Sequence, residues 1–377
     1  MSIVVTGATG QLGHLVVESL LAGDFPTGDI AAVVRNREKA ADIAARGVEL
    51  RVADYDRPET LVNTFRAGDR LLLISAGDVG RRVPQHAAVI DAARSAGVGQ
   101  LAYTGILGGP DADFELAAEH KLTEQLILDS KLPYTFLRNG FYSEIYTENL
   151  APVLEHGRLV ANAGAGRIAS ASRADYATAA AAVLTGEGHL DRAYELSGDT
   201  AWSFAEYAAE VSRQSGQTVT YDDVPSETRL KILIDAKVPE PMAEILVGVD
   251  NAIERGRLAG TTRELARLIG RPTTPIGDSI ARRSRVDPCQ PSAGVRRHAT
   301  GSATTRAPRY PGAAGRGLPR WRRPARGPAH TGRGHAESRL TGGSPRGGAG
   351  RGGSDRTGRG GRTGAGSPHR PASCVQS

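Results

Sequence analysis

Three glycines near the N-terminus, Gly7, Gly10 and Gly13, have the spacing of a phosphate-binding turn. They follow the apolar run Ile3-Val4-Val5 and open a stretch in which Leu12, Val16, Val17, Leu20 and Leu21 recur at helical spacing. In a strand–turn–helix, the first glycine permits the tight turn and the second keeps a Cβ out of a pyrophosphate's path. The third lets helix and strand approach closely. Backbone amides from Gly7, Ala8, Thr9, Gly10, Gln11 and Leu12 would then face the phosphates at the positive end of the helix. That chemistry is dinucleotide binding.

Arg35 refines the expectation. It directly follows the apolar run Ile30–Val34, where an acid would hold the ribose 2′-hydroxyl of NAD. An arginine there suits a 2′-phosphate, so NADPH is the expected cofactor and NADH a weaker one. Arg37 stands close enough to assist. Asp54, just past Val48–Val52, either meets the adenine amino group or begins a turn.

The acid that would complete a carbonyl reduction is not where its commonest form would put it. One common solution is a tyrosine whose phenol is made more acidic by a lysine four residues later. No tyrosine in 1–282 has such a lysine, and Gly105 stands where a supporting serine would be expected after Tyr103-Thr104. In that region the chain reads Glu119-His120-Lys121-Leu122-Thr123-Glu124. His120 and Glu124, at i and i+4, share a helix face. A metal would need a third ligand that is not in sight, so they read as a polar pair or as pocket lining. Both cysteines, Cys289 and Cys374, fall after residue 282. Residues 1–282 therefore carry no thiol, disulfide or cysteine-ligated metal, and no metal is expected.

The elements that would position these residues follow from the apolar pattern. Further strands are expected at 30–34, 48–52, 70–74, 101–104 and 134–137, with helices at 36–46, 84–96 and 115–128. Continuous apolar strands alternating with amphipathic helices predict a parallel sheet covered on both faces, a doubly wound α/β fold of Rossmann type over 1–139. From 140 to 282 the alternation weakens. Helices are expected at 173–185, 203–215 and, interrupted by Pro239 and Pro241, across 227–269, with strands near 157–160, 193–196 and 218–221. This part reads as a smaller α+β lobe on the sheet's C-terminal edge, walling off the substrate side. Ser203 and Glu206 have capping-box spacing.

Composition changes at Arg283. From there on, 19 arginines, no lysine and 3 acids give a net charge of +16, against −10 for residues 1–282 with 28 basic and 38 acidic residues. The overall +6 therefore says nothing about a nucleic-acid face on the foldable part. With only five residues from Val, Ile, Leu, Met and Phe, 283–377 is expected to be disordered. Arg, Gly, Pro, Ala, Ser and Thr without Lys is what a GC-rich coding strand yields out of frame, so a frameshift origin is expected; a genuine basic arm would instead bind nucleic acid. No signal peptide precedes the first strand, and no apolar run reaches the ~18 residues of a membrane span. A cytoplasmic protein is expected.

With these residues in view, the chain resembles the NmrA-like, atypical short-chain dehydrogenases, and within them the bacterial type 2 NAD(P)H:quinone oxidoreductases. The resemblance lies in Thr6-Gly7-Ala8-Thr9-Gly10-Gln11-Leu12-Gly13, Val34-Arg35-Asn36, Leu72-Leu73-Ile74-Ser75 and Glu119-His120 with Glu124. It continues through Leu137-Arg138-Asn139-Gly140-Phe141-Tyr142-Ser143-Glu144, the run from Ile168 to Tyr176, and Tyr194-Glu195-Leu196-Ser197-Gly198. What it implies is a flavin-free enzyme that passes hydride from NADPH directly to a small-molecule quinone. It implies that Ser75 borders the cofactor, that Arg138, Asn139 and Gly140 line the nicotinamide end, and that Ser170, Arg173 and Asp175 close over it. Phe141 and Tyr142 offer faces to a quinone, or belong to the core. Gly105 departs from the serine of the close relatives. The family's other branch implies an alternative, an NAD(P)-binding redox sensor that regulates a protein partner without turnover. The reading leaves monomer and homodimer both open.

Overall fold

Strand β1 (Ile3–Val5) sends alternate side chains to opposite faces of a sheet, and both faces are dry. Ile3 and Val5 join one apolar cluster, and Val4 joins another. In this computed structural model, which describes residues 1–23, 25–148 and 150–285, the same holds for β2 (Ile30–Val34): Ile30, Ala32 and Val34 face one way, Ala31 and Val33 the other. Uninterrupted apolar runs are what such a doubly covered strand needs. Strands β3 (Glu49–Val52), β4 (Arg70–Leu73), β5 (Gln100–Ile106) and β6 (Tyr134–Asn139) complete the series expected from the sequence.

All pair in parallel, in the order β3-β2-β1-β4-β5-β6, with β9 (Arg192–Leu196) added beside β6 as a seventh strand. The order reverses between β1 and β4. That is the switch point at which ligands bind in open α/β sheets.

Helix α1 (Gln11–Ala22) buries Leu12, Val16, Val17 and Leu20 on the Ile3/Val5 face. The short α2 (Ala41–Ala45) adds Ile43 to the same cluster. On the other face, α3 (Arg82–Ala96) contributes Val89, Ile90 and Ala93, and α4 (Ala118–Ser130) contributes Ile127. Gly97 ends α3 in the left-handed conformation, φ 68°.

After β6 come α5 (Ser143–Thr147), α6 (Leu150–His156), β7 (Arg158–Ala161) and β8 (Arg167–Ile168). Helix α7 (Arg173–Thr185) then returns to pack on α1, so that the sheet's first face is covered by residues from both halves of the chain. Its N-cap is Ser172, whose hydroxyl accepts from the Asp175 amide.

A third apolar cluster lies among β10 (Trp202–Ser203), α8 (Phe204–Ser215), β11 (Thr220–Asp223) and α10 (Glu240–Glu254), the last preceded by α9 (Ser226–Asp235). It gathers Ile168, Trp202, Phe204, Tyr207 and Ile253. The capping box of Ser203 and Glu206 is present at the start of α8. Pro239 caps the start of α10 and Pro241 sits in its first turn, where a missing amide costs no intrahelical bond. Helices α11 (Glu264–Ile269) and α12 (Ile276–Arg285) close the described chain. The latter runs to Arg285, past the expected start of the tail at Arg283. The disorder expected for 286–377 lies outside the described residues. Among the described residues, no helix is long and apolar enough to cross a membrane.

Candidate functional site

A cavity of about 1060 Å³ opens at the C-terminal ends of β1, β2 and β4, at the switch point. One wall is the glycine turn. Gly7 has φ 58°, and a Cβ on Gly13 would overlap the Gly7 carbonyl. A side chain at Gly7 would be strained by this dihedral, and one at Gly13 would force the backbone to move. Gly10 caps α1 with no side-chain hydrogen bond, and α1 has no acid in its first turn. The amides of Gln11, Leu12 and Gly13 therefore stand at the cavity wall without an acceptor among the described residues, the arrangement a phosphate group requires.

Arg35, Asn36 and Lys39 line the cavity beyond β2. Neither Arg35 nor Lys39 makes an ion pair or hydrogen bond among the described residues, so two positive charges stand unneutralised at this end. Asp54 lines it beyond β3, with its carboxylate 3.4 Å from Arg57.

The turn after β4 is held by three buried side chains in succession. The amides of Ile74, Ser75 and Ala76 donate to Thr6 Oγ1 (3.0 Å), Thr104 Oγ1 (2.9 Å) and His86 Nε2 (3.0 Å). Arg82 Nε donates to the Ala76 carbonyl at 2.6 Å, and Arg82 itself lines the cavity. Behind it lies a buried polar group: His120 Nε2 is 3.5 Å from Arg82 Nη1, and His120 Nδ1 is 2.8 Å from Tyr103 Oη. Burial and the Arg82 charge push His120 down to about 3 and His86 down to about 4, so both imidazoles are neutral at physiological pH. Burial raises the Tyr103 phenol well above its ordinary value.

On the far side, Tyr142 lines the cavity, with the Arg173 guanidinium 5.3 Å from its ring centroid. Arg173 also lines it and donates to Glu148 at 2.5 Å.

Ten of the expected residues thus converge: Gly7, Thr9, Gly10, Gln11 and Leu12 in the turn, and Arg35, Asp54, Ser75, Tyr142 and Arg173 around it. The remaining ones do not line the cavity. Ala8 is buried under the turn. Arg138 is engaged elsewhere, donating to both oxygens of Glu124 (2.9 and 2.7 Å) and to Glu195 (2.8 Å). Burial opposes the Arg138 charge, but the bonds to Glu124 and Glu195 outweigh it and hold the guanidinium protonated. His120 and Glu124 accordingly serve different partners, although one helix turn apart. Among the described residues, no group of three or more His, Cys, Asp or Glu is placed to hold a metal.

Asn139 is buried with Oδ1 unpartnered, and Gly140 donates its amide to the Leu196 carbonyl at 2.7 Å. The Phe141 ring lies 6.5 Å from that of Phe114 in the third apolar cluster. Ser170 bonds Ser143 and Trp202 Nε1, both at 2.9 Å. Asp175 is fully buried, accepting from Arg271 and from the Thr274 amide. These residues pack around the starts of α5 and α7, where Tyr142 and Arg173 stand.

The sequence reading does not single out Lys39, Arg82 or His86. Lys39 has a signal in hindsight, since it stands four residues past Arg35 on a turn leaving the same strand. Arg82 and His86 have none, because their partners lie elsewhere in the chain.

Residues 1–258 match the model of the NmrA-like family. The chain is 44% identical over 279 residues to quinone oxidoreductase 2 of Escherichia coli K12, covering 74% of this chain and 97% of that one. The crystal structure of the E. coli NADPH-dependent quinone oxidoreductase complexed with NADPH superposes with a TM-score of 0.73 at 44% identity, covering 74% of this chain and 99% of that one. Triphenylmethane reductase from Citrobacter sp., complexed with NADP(H), gives a TM-score of 0.72 at 42% identity, with 75% and 100% covered.

Proposed function

The chain belongs to the NmrA-like family, and from that premise we propose that it is an NADPH-dependent quinone reductase. Hydride transfer is direct, with no flavin and no tyrosine–lysine pair. The observation that carries the reading is the pair of unneutralised cations, Arg35 and Lys39, at the ribose end of a cavity floored by the glycine turn. The 44% identity to a quinone oxidoreductase across nearly that protein's whole length supports a quinone as the substrate class. The cavity is as large as the upper end of ligand pockets, roughly 300–1,000 Å³.

In this reading the turn from Gly7 to Leu12 offers its amides to the pyrophosphate, Arg35 and Lys39 take the 2′-phosphate, and Asp54 borders the adenine. Ser75 borders the nicotinamide ribose. Tyr142 and Arg173 close over the nicotinamide end, and their loops are held by Arg138 to Gly140, Ser170 and Asp175. When bound, the cofactor supplies the hydride. The protein holds two flat rings in contact and excludes water, which is a task of proximity. The neutral His120 is not an acid at working pH, so solvent delivers the proton to the reduced quinone.

The test is NADPH oxidation by the full chain with a panel of quinones, alongside NADH and NADPH deuterated at the transferring position. A primary isotope effect without bound flavin is expected. Tight NADPH binding with no oxidation by any quinone would favour the sensor reading instead.

A further inference from the structure

Arg82 is a charged side chain on the cavity wall to which the reading above gives no task. It opens α3 on the β4 side of the switch point, and its side chain is 10% exposed. Nε is committed to the Ala76 carbonyl. Nη1 faces His120 Nε2, and the nearest carboxylate, Glu119, is 4.0 Å away. That carboxylate also accepts from the Gly80 amide at 3.0 Å. Nη2 has no hydrogen-bond acceptor among the described residues. A guanidinium cannot shed its proton, so a weakly neutralised charge is held against the cavity.

The surroundings keep that charge directed. Arginine only donates, so His120 Nε2 accepts, and the imidazole proton sits on Nδ1, facing Tyr103 Oη. The Ala76 amide likewise makes His86 Nε2 an acceptor, and His86 Nδ1–H donates to Thr123 Oγ1 at 2.9 Å. Both imidazoles are neutral spacers in this wall, and neither competes with Arg82 as a cation. The sheet's second half, β4 to β6, is where a Rossmann fold holds the nicotinamide half of its cofactor. Arg82 therefore stands beside the reacting end, across the switch point from Arg35.

We propose that Arg82 is a catalytic residue that donates through Nη2 to a carbonyl oxygen of the bound quinone and stabilises the phenolate that hydride transfer creates. The assignment rests on the quinone-reductase reading. The quinone gains two electrons and one proton as hydride, from the C–H bond broken on the dihydronicotinamide ring, which is left as the pyridinium. One quinone oxygen ends as a hydroxyl and the other as a phenolate, and the phenolate takes its second proton from water. A donor fixed before the reaction gains strength as charge grows on that oxygen, so it lowers the barrier more than it tightens quinone binding.

The experiment uses the full chain. Arg82→Gln is expected to lower kcat with quinones about a hundredfold, and Arg82→Lys to recover about tenfold of that, while NADPH affinity stays within about twofold. An unchanged kcat in Arg82→Gln overturns the assignment, and so does a loss of NADPH affinity that matches the loss of kcat. Because the glutamine could disturb the Ala76 turn, the wild type provides a second measurement. 4-Nitrophenol, at a pH where it is ionised, should compete with quinone at least about tenfold better than 4-nitroanisole, since only the phenolate carries the charge Arg82 would meet. Equal inhibition by the two overturns the assignment. A wild type that binds NADPH but reduces no quinone sinks the underlying reading, and this one with it.

Discussion

Glu124 and Arg138 face each other from α4 and β6 as a two-pronged pair, with Nε–Oε1 at 2.9 Å and Nη2–Oε2 at 2.7 Å. Arg138 also reaches Glu195 on β9, and Glu195 accepts from the Gly108 amide at 2.7 Å. One guanidinium thus ties α4, two strands and the loop after β5. Glu124→Ala would leave a largely buried charge with Glu195 alone, and a loss of about 3 kcal/mol of stability is expected. Urea unfolding with an unchanged m-value would measure it. A midpoint equal to wild type would mean that the pair contributes nothing.

Gly105 belongs to the same arrangement. A Cβ there would lie 3.1 Å from Glu124 Oε1, so Gly105→Ser should crowd the carboxylate and lower stability by about 1 kcal/mol or more. A stabilised Gly105→Ser would show that the serine hydroxyl is welcomed by Glu124.

His120 tests where the proton comes from. Because burial and Arg82 hold it neutral, His120→Ala should leave kcat within about tenfold of wild type and leave its pH profile unshifted across the neutral range. Stability should fall by about 1–3 kcal/mol, since the Tyr103 hydroxyl loses its buried partner. Near-complete loss of turnover with NADPH binding intact would make His120 an essential acid.

Arg35 and Lys39 should share the 2′-phosphate. Arg35→Ala is expected to weaken NADPH binding by about 1.5–3 kcal/mol while NADH barely changes. Lys39→Ala should do the same to a smaller extent, and titration calorimetry of the double variant would give their coupling. Equal losses for both nucleotides would assign the residues to the fold.

Acid should expose the two neutral imidazoles. Folded, His86 and His120 bind protons only near about 4 and about 3, whereas an unfolded histidine does so near ~6.5. The unfolded chain therefore takes up more protons below ~6.5, and stability falls with pH through that window. Asp250 acts in the opposite sense. Burial raises it from 3.8 to about 6 despite Arg229 at 3.5 Å, so acidification through that range adds stability. Two groups outweigh one, and a net decline is expected between pH ~6.5 and ~4. Removing the opposing group, Asp250→Asn should decline more steeply than wild type; a shallower decline would contradict this accounting.

The C-terminal stretch is tested by deletion. The E. coli relative is matched over 97% of its length by 74% of this chain. Removal of 286–377 should therefore leave NADPH binding and quinone reduction within about twofold, as expected for a segment poor in apolar residues. Salt-sensitive RNA binding that disappears with the deletion would instead establish a nucleic-acid arm.

What the sequence determined by itself is local. The glycine turn, the position of Arg35 at the end of β2, the capping box of Ser203 and Glu206, and the two-sided apolar strands are each written in a few contiguous residues. Backbone dihedrals and strand alternation depend on near neighbours, so the Rossmann-type fold and the placement of the glycine turn and Arg35 are legible in the chain. Which polar side chains face that cavity was decided by tertiary contacts. Arg138 turns away because Glu124 and Glu195 meet it from 14 and 57 residues away. Asp175 is drawn inward by Thr274 across 99 residues. Arg82 is left facing the cavity because Ala76, His120 and Glu119 engage only part of its guanidinium. A charged side chain settles where its charge is best compensated, and the partners that compensate it come together only when the sheet is assembled.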